Sequence, residues 1–271
     1  RSIPLILLNA RITKKSYDKW KKIPKMSKIL FKNFDICFSQ NYETKKYLRS
    51  LGAKKIKFIG NLKFSESKTE KNYNFNSNLK KIFKSKKIWC AASTHNTEER
   101  ICATVHEKLK NKYKNLLTII IPRHAQRADE ITNEIRDMGL KVQAHSLSNK
   151  TNNSTEIYLV DTFGETKSFF KICKTVFLGG SIINHGGQNP LEPVRFGCRI
   201  LHGPNIQNFT EVYNLLEKNN LSHKFYNSNQ LVKLVDKSFG KNMNTGNKIR
   251  KIKKTGSNIL NNTLIEINHY L

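Results

Sequence analysis

A strand-like run over Thr175–Leu178 leads into Gly179-Gly180-Ser181, then Gly186-Gly187, then Asn189-Pro190-Leu191-Glu192. Glycine lacks a Cβ, so the backbone there can take positive φ and approach a ligand closely. Asn189 suits a helix N-cap, Pro190 suits the first helical position, and Glu192 falls at the third. The free N–H groups and positive dipole end of such a helix start attract an anion. The chemistry this spacing offers is phosphate and ribose binding. The competing reading is a capping box between Asn189 and Glu192 with glycines that only make turns; two Gly-Gly pairs flanking one loop favour the ligand.

Three other segments have the same character. Trp89–Glu99 places Ser93, Thr94 and His95 after an apolar run, and Asn96 and Glu99 then stand at capping-box spacing. The hydroxyls and imidazole are expected to face a ligand, although Asn96 and Glu99 are equally explained as a cap. Leu117–His124 delivers Arg123 from a strand end, stopped by Pro122. Arginine presents a fixed fork of donors that matches phosphate or carboxylate. In Val160–Glu165, Thr162 and Glu165 again have capping-box spacing, Gly164 permits close backbone approach, and the backbone of Phe163–Glu165 is what a ligand would meet.

Short apolar runs alternate with amphipathic stretches, the pattern of α/β units around parallel sheets. Strands are expected near Leu5–Leu8, Ile36–Ser39, Lys57–Ile59, Ile88–Ala92, Leu117–Ile121, Lys141–Ala144, Ile157–Val160, Thr175–Leu178 and Arg199–Leu201. Helices are expected near Lys14–Lys32, Glu43–Leu51, Glu98–Lys110, Arg127–Met138 and Glu165–Ile172, with others after Asn208 and Asn229 and a last one near Asn247–Ile267. Residues 1–63 read as the C-terminal part of one Rossmann-like domain, 64–78 as a polar linker, and 79–271 as a second Rossmann-like domain whose last helix packs back on the first. Every motif follows a strand and precedes a helix, where such sheets bind ligands.

The chain has 271 residues and a net charge of +29, with its lysines spread throughout. A basic surface attracts nucleic acid and acidic lipid alike, but there is no helix-turn-helix, RRM or zinc-finger signature, so no nucleic-acid partner is expected. Five scattered cysteines without C-x-x-C spacing argue against a disulfide framework, and no histidine pattern suggests a metal. No apolar run reaches membrane-span length. The chain begins at Arg1 and enters an interior-type strand at Pro4–Leu8, which leads to the expectation that it is part of a longer protein.

Taken in order with Asn9-Ala-Arg11 and Gly60-Asn-Leu-Lys63, these segments resemble the 3-deoxy-D-manno-octulosonic acid (Kdo) transferases of lipid A biosynthesis, from Asn9 to about Phe209. The resemblance implies an α/β, GT-B type enzyme of two Rossmann-like domains with parallel sheets, the N-terminal one incomplete here. It implies inverting, metal-independent transfer of Kdo from CMP-Kdo to a lipid A precursor at the cytoplasmic face of the bacterial inner membrane, with no cofactor besides the donor substrate. CMP would be held by Pro122, Arg123, Phe163, Gly164, Glu165, Asn189, Pro190, Leu191 and Glu192. Lys63 would stabilise charge on the departing phosphate. Ser93, Thr94, His95, Gly180, Ser181, Gly186 and Gly187 are further donor-side candidates; Asn9 and Arg11 are acceptor-side candidates. The family's general base is a glutamate in the early N-terminal domain, for which this chain offers no counterpart, so the chain alone is expected to be inactive. Thr97 stands where the family has Gly and Ala125 where it has Pro, which touches loop geometry. Lys14–Phe34 alternates lysines with apolar residues and could dock on an anionic membrane, but packing of its apolar side on its own sheet is the favoured reading. Fold alone does not fix function, so another GT-B sugar-nucleotide enzyme, such as a UDP-sugar epimerase, and a non-catalytic polyanion binder remain alternatives.

Overall fold

A computed structural model of the chain describes residues 3–65, 74–240 and 246–270. Two units emerge, residues 1–69 with 250–271 and residues 70–249.

The first unit carries a parallel sheet ordered β1-β2-β3, formed by Ile6–Ala10, Ile36–Ser39 and Ile56–Phe58. Helices α1 (Lys14–Lys21) and α2 (Pro24–Lys32) connect β1 to β2, and α3 (Tyr42–Ser50) connects β2 to β3. The stretch Lys14–Lys32 is therefore two helices. Pro24 lacks an N–H and fits the first turn of a new helix, and Ile23 sits at its cap. Ala10, Phe31, Cys37, Leu48, Leu51 and Ala53 form this core, with Trp20 and Phe34 packed against it.

The second unit is a seven-stranded parallel sheet preceded by α4 (Ser77–Ser85). Its strands are β4 (Lys87–Thr94), β5 (Leu116–Pro122), β6 (Val142–Ala144), β7 (Ile157–Leu159), β8 (Thr175–Leu178), β9 (Arg199–His202) and β10 (Ser222–Lys224). The order is β10-β9-β8-β4-β5-β7-β6. Helices α5 (Glu98–Lys110), α6 (Ala128–Asp137), α7 (Thr166–Ile172), α8 (Leu191–Arg195), α9 (Thr210–Lys218) and α10 (Ser228–Phe239) follow successive strands, and α11 (Gly246–Asn268) ends the chain. From β4 the chain builds outward through β5, then returns to β8 on the other side, so the topological switch point lies between β4 and β8. Strands buried on both faces read as continuous apolar runs, and β5 is buried at every position.

Residues 66–73 of the expected linker lie outside the described residues, and its end is helical. Asn76 Oδ1 accepts from Leu79 N at 2.8 Å, and Leu79, Ile82 and Phe83 bury one helical stripe. Within the first unit, α11 packs on the turn after β3. A Cβ at Gly256 would stand 2.0 Å from the Phe64 carbonyl oxygen, and Lys57 bonds Glu266. Among the described residues no helix is long and apolar enough to cross a membrane, and no group of three His, Cys, Asp or Glu side chains could hold a metal ion.

Candidate nucleotide site

Because β8, β4, β5 and β7 are adjacent and parallel, the loops that leave them gather at one edge of the second unit's sheet. These loops carry all four sequence-predicted segments.

Arg123 follows β5, its N–H bonded to Thr94 O at 2.9 Å. This ties the β5 turn to the β4 turn. The Arg123 side chain is exposed and meets no acid among the described residues, which leaves a cation at the rim.

The β4 turn differs from expectation. Asn96 and Glu99 make no capping box: the cap residue of α5 is Thr97, in left-handed conformation at φ 78°. A β-branched residue is strained there, and this is the position where the resembled family has glycine. Instead Glu98 reaches back to His95 N at 3.0 Å, while Glu99 receives Arg127 Nη1 at 3.0 Å. Burial pushes the Glu99 carboxyl pKa up, opposed by Arg127. The Thr94 side chain is fully buried beside Glu99. Ser93 takes positive φ of 55° and its carbonyl accepts from His95 Nδ1 at 3.1 Å. The His95 ring lies 4.4 Å from that of His185, centroid to centroid, and 6.2 Å from that of His124. Burial lowers the His95 pKa, with Glu98 acting in the opposite direction.

The β8 loop turns back on itself. Gly180, Gly186 and Gly187 have φ of 64°, 98° and 76°, and Gly187 N bonds Gly180 O at 2.8 Å. Ser181 is fully buried, donates to Leu178 O and accepts from Gly203 N at 2.9 Å, so it staples the loop to the end of β9. Asn189 Oδ1 accepts from Leu191 N at 3.1 Å, but α8 begins at Leu191 with Pro190 as its cap, one residue later than the spacing suggests. Glu192, 43% exposed, lies 3.8 Å from Lys167 Nζ.

After β7, Phe163 is 78% exposed and Gly164 takes φ 88° with open space beside it. Thr162 and Glu165 bond each other side chain to side chain at 2.7 Å, and Glu165 also lies 2.7 Å from His145 Nε2. Thr162 is therefore not the helix cap; Glu165 holds that place.

In the first unit, Asn9 has φ 50° at an irregularity of β1, and its Oδ1 accepts from Leu62 N at 3.1 Å. Asn61 Oδ1 accepts from Lys63 N at 3.0 Å. These bonds bring Asn9-Ala-Arg11 and Asn61-Leu-Lys63 together. Partial burial and then the charge of Arg11 lower the Lys63 pKa. The amphipathic stretch divides: Phe31 and Trp20 pack on the first unit's core, as the favoured reading expects, whereas Ile23, Met26, Ile29 and Leu30 are 47%, 63%, 67% and 41% exposed.

From sequence, Glu98 and Glu99 stand out only as carboxylates with no assignable role; the bonds of Glu98 to the β8 loop, more than 80 residues away, leave no local signal.

Residues 1–66 match the family model described as 3-Deoxy-D-manno-octulosonic-acid transferase (kdotransferase). A 3-deoxy-D-manno-octulosonic acid transferase of Haemophilus influenzae is 30% identical over 219 residues, 80% of this chain and 51% of that protein. The chain thus spans about half the length of the curated relatives it matches. Among solved structures, the C-terminal CMP-Kdo binding domain of WaaA from Acinetobacter baumannii is similar, with 23% identity, TM-score 0.57, and coverage of 68% of this chain and 93% of that one. Anabaena Alr3699/HepE, in complex with UDP and glucose, covers 99% of this chain and 72% of its own at TM-score 0.52 and 10% identity. These likenesses show the fold: an α/β architecture of GT-B type with parallel sheets. By sequence, the chain is similar to the Kdo transferases, through the family model over residues 1–66 and relatives 30% identical over most of its length.

Proposed function

We propose that this chain is the donor-binding part of a glycosyltransferase that moves Kdo from CMP-Kdo to a lipid A precursor. The observation that carries the reading is the convergence of the β4, β5, β7 and β8 loops on one sheet edge, with the exposed Arg123 cation at its rim. Arg123 neutralises the phosphate. Glu192 accepts from ribose hydroxyls, and Asn189, Pro190 and Leu191 form the turn, closed by the Leu191 N–H to Asn189 Oδ1 bond, that presents it. Pro122 shapes the arginine's turn; Phe163, Gly164 and Glu165 present an open apolar face and backbone to the base. Lys63 stabilises the departing phosphate, and Asn9 and Arg11 address the acceptor. Transfer inverts the sugar carbon, uses no metal or resident cofactor, and takes its base from a family glutamate with no counterpart here.

The exposed apolar side of α2, ringed by Lys22, Lys25, Lys28 and Lys32, supports a working place on an anionic membrane surface, the cytoplasmic face of the inner membrane.

Calorimetric titration of the chain with CMP, UDP and ADP tests the reading. CMP is expected to bind tightest, and Arg123→Ala to weaken it tenfold or more, about 1.5–3 kcal/mol for a charge-assisted contact. Preference for UDP would sink the Kdo assignment in favour of a UDP-sugar enzyme. Steeply salt-dependent DNA binding that survives an Arg123→Ala, Glu192→Ala double change would mark a polyanion binder.

A further inference from the structure

The Glu98 side chain is fully buried, at the first residue of α5, where the helix dipole favours a negative charge. Its carboxylate accepts three backbone N–H groups from two separate loops. Oε2 receives His95 N at 3.0 Å and Gly180 N at 2.7 Å, and Oε1 receives Ile182 N at 3.0 Å. A cap for α5 would need none of the β8 loop. The loop in turn is shaped to meet the carboxylate: a Cβ on Gly179 would stand 2.6 Å from Glu98 Oε2 and 2.3 Å from Ser93 O. Gly180 reaches its bond from positive φ. The bonds cross the switch point between β4 and β8, where open α/β sheets bind their ligands.

We infer that Glu98 is the positioning residue of the nucleotide site: it touches no ligand, and fixes the β8 glycine loop and the His95 turn relative to each other. The inference rests on the nucleotide reading given above. Two charge-assisted bonds hold Gly180 and Ile182, and a third holds His95, where a mobile glycine loop would otherwise lose entropy on binding donor. A neutral amide cannot substitute, because its NH2 group would face a backbone N–H that needs an acceptor.

Two variants and two readouts test this. In Glu98→Gln, CMP binding by calorimetry is expected to weaken tenfold or more. Amide hydrogen exchange is expected to speed up at Gly180 and Ile182 while the β4 and β5 amides keep their protection. Glu98→Asp retains the charge but is one methylene short, so it should fall between the two and serves if the glutamine variant does not fold. Wild-type CMP affinity in a folded variant overturns the inference. So does faster exchange spread evenly over the sheet, which would mean general stabilisation only. If the unmodified chain itself binds no CMP, the nucleotide reading fails, and the exchange pattern alone decides whether Glu98 anchors the loop.

Discussion

The two units hold their functional residues by different means. In the second, the loops at the sheet edge are pinned from beneath by buried polar groups: Glu98 under the β4 and β8 turns, Ser181 between β8 and β9, His145 behind Glu165. In the first, Asn9 and Asn61 fix a short turn, while α2 shows Met26 and Ile29 to solvent among lysines. A buried polar network costs dearly when half satisfied, so it is found where one geometry must be kept. An exposed apolar stripe with lysines suits contact with a surface, where precise geometry matters less. The pinned loop edge of the second unit suits a small ligand with fixed atoms, and the stripe on α2 suits an extended surface.

The largest effect expected from this contrast falls at Gly179. Added Cβ atoms there meet backbone, Ser93 O at 2.3 Å and Thr94 Cα at 2.6 Å, as well as the Glu98 carboxylate, so nothing flexible can move aside. Gly179→Ala should cost about 3 kcal/mol or more in chemical denaturation. Gly139→Ala, at φ 77° with nothing within 4 Å, should cost only its backbone strain, about 1 kcal/mol. Equal losses at the two positions would remove the claim that the loop is packed to close tolerance.

The second unit's reliance on buried polar groups also exposes it to acid. His106 is 1% exposed, its Nδ1 2.9 Å from Thr118 Oγ1, and burial lowers its pKa from 6.5 to about 4 despite the nearby Glu156. The unfolded chain therefore binds the proton first. Stability is full above pH 6.5 and falls as the pH drops toward 4, by about 3 kcal/mol from this group. Denaturation at pH 7.5 and 4.5 should show that His106→Gln flattens the slope by most of that amount. Among its described residues the first unit holds one histidine, His269, and it is exposed. An unchanged slope would assign the acid sensitivity to other groups.

The sequence made the second unit more legible than the first. Strands buried on both faces announce themselves as apolar runs, so β5 and β8 lay where the pattern put them. Ser222–Lys224 gave no such signal, because a short edge strand bearing His223 and Lys224 buries little. The capping-box spacings at Asn96–Glu99 and Thr162–Glu165 gave no such caps, because spacing is read locally whereas Glu99 bonds Arg127 and Glu165 lies against His145, both from other elements. The strain at Thr97 became intelligible only with its φ known. The uncovered part of Lys14–Lys32 was not legible, because periodicity gives a helix an apolar side without saying what covers it.

That uncovered side supplies the smallest expected effect on stability. Met26 and Ile29 are 63% and 67% exposed, whereas Phe31 is 6% exposed and packs edge-on against Trp20. Replacing Met26 and Ile29 together by Asp should shift unfolding by no more than about 0.5 kcal/mol, as for other surface sites. Binding to vesicles rich in an anionic phospholipid should nevertheless fall more than tenfold. Each side chain withdrawn from an apolar surface forfeits about 1.5–3 kcal/mol, and the new charges repel anionic headgroups already drawn to the surrounding lysines. Phe31→Asp should do the reverse and unfold the first unit, because it places a charge in the core. If the double aspartate variant destabilised the chain as Phe31→Asp does, α2 would be a packing element like those of the second unit, and the contrast between surface-binding and ligand-binding units would fall.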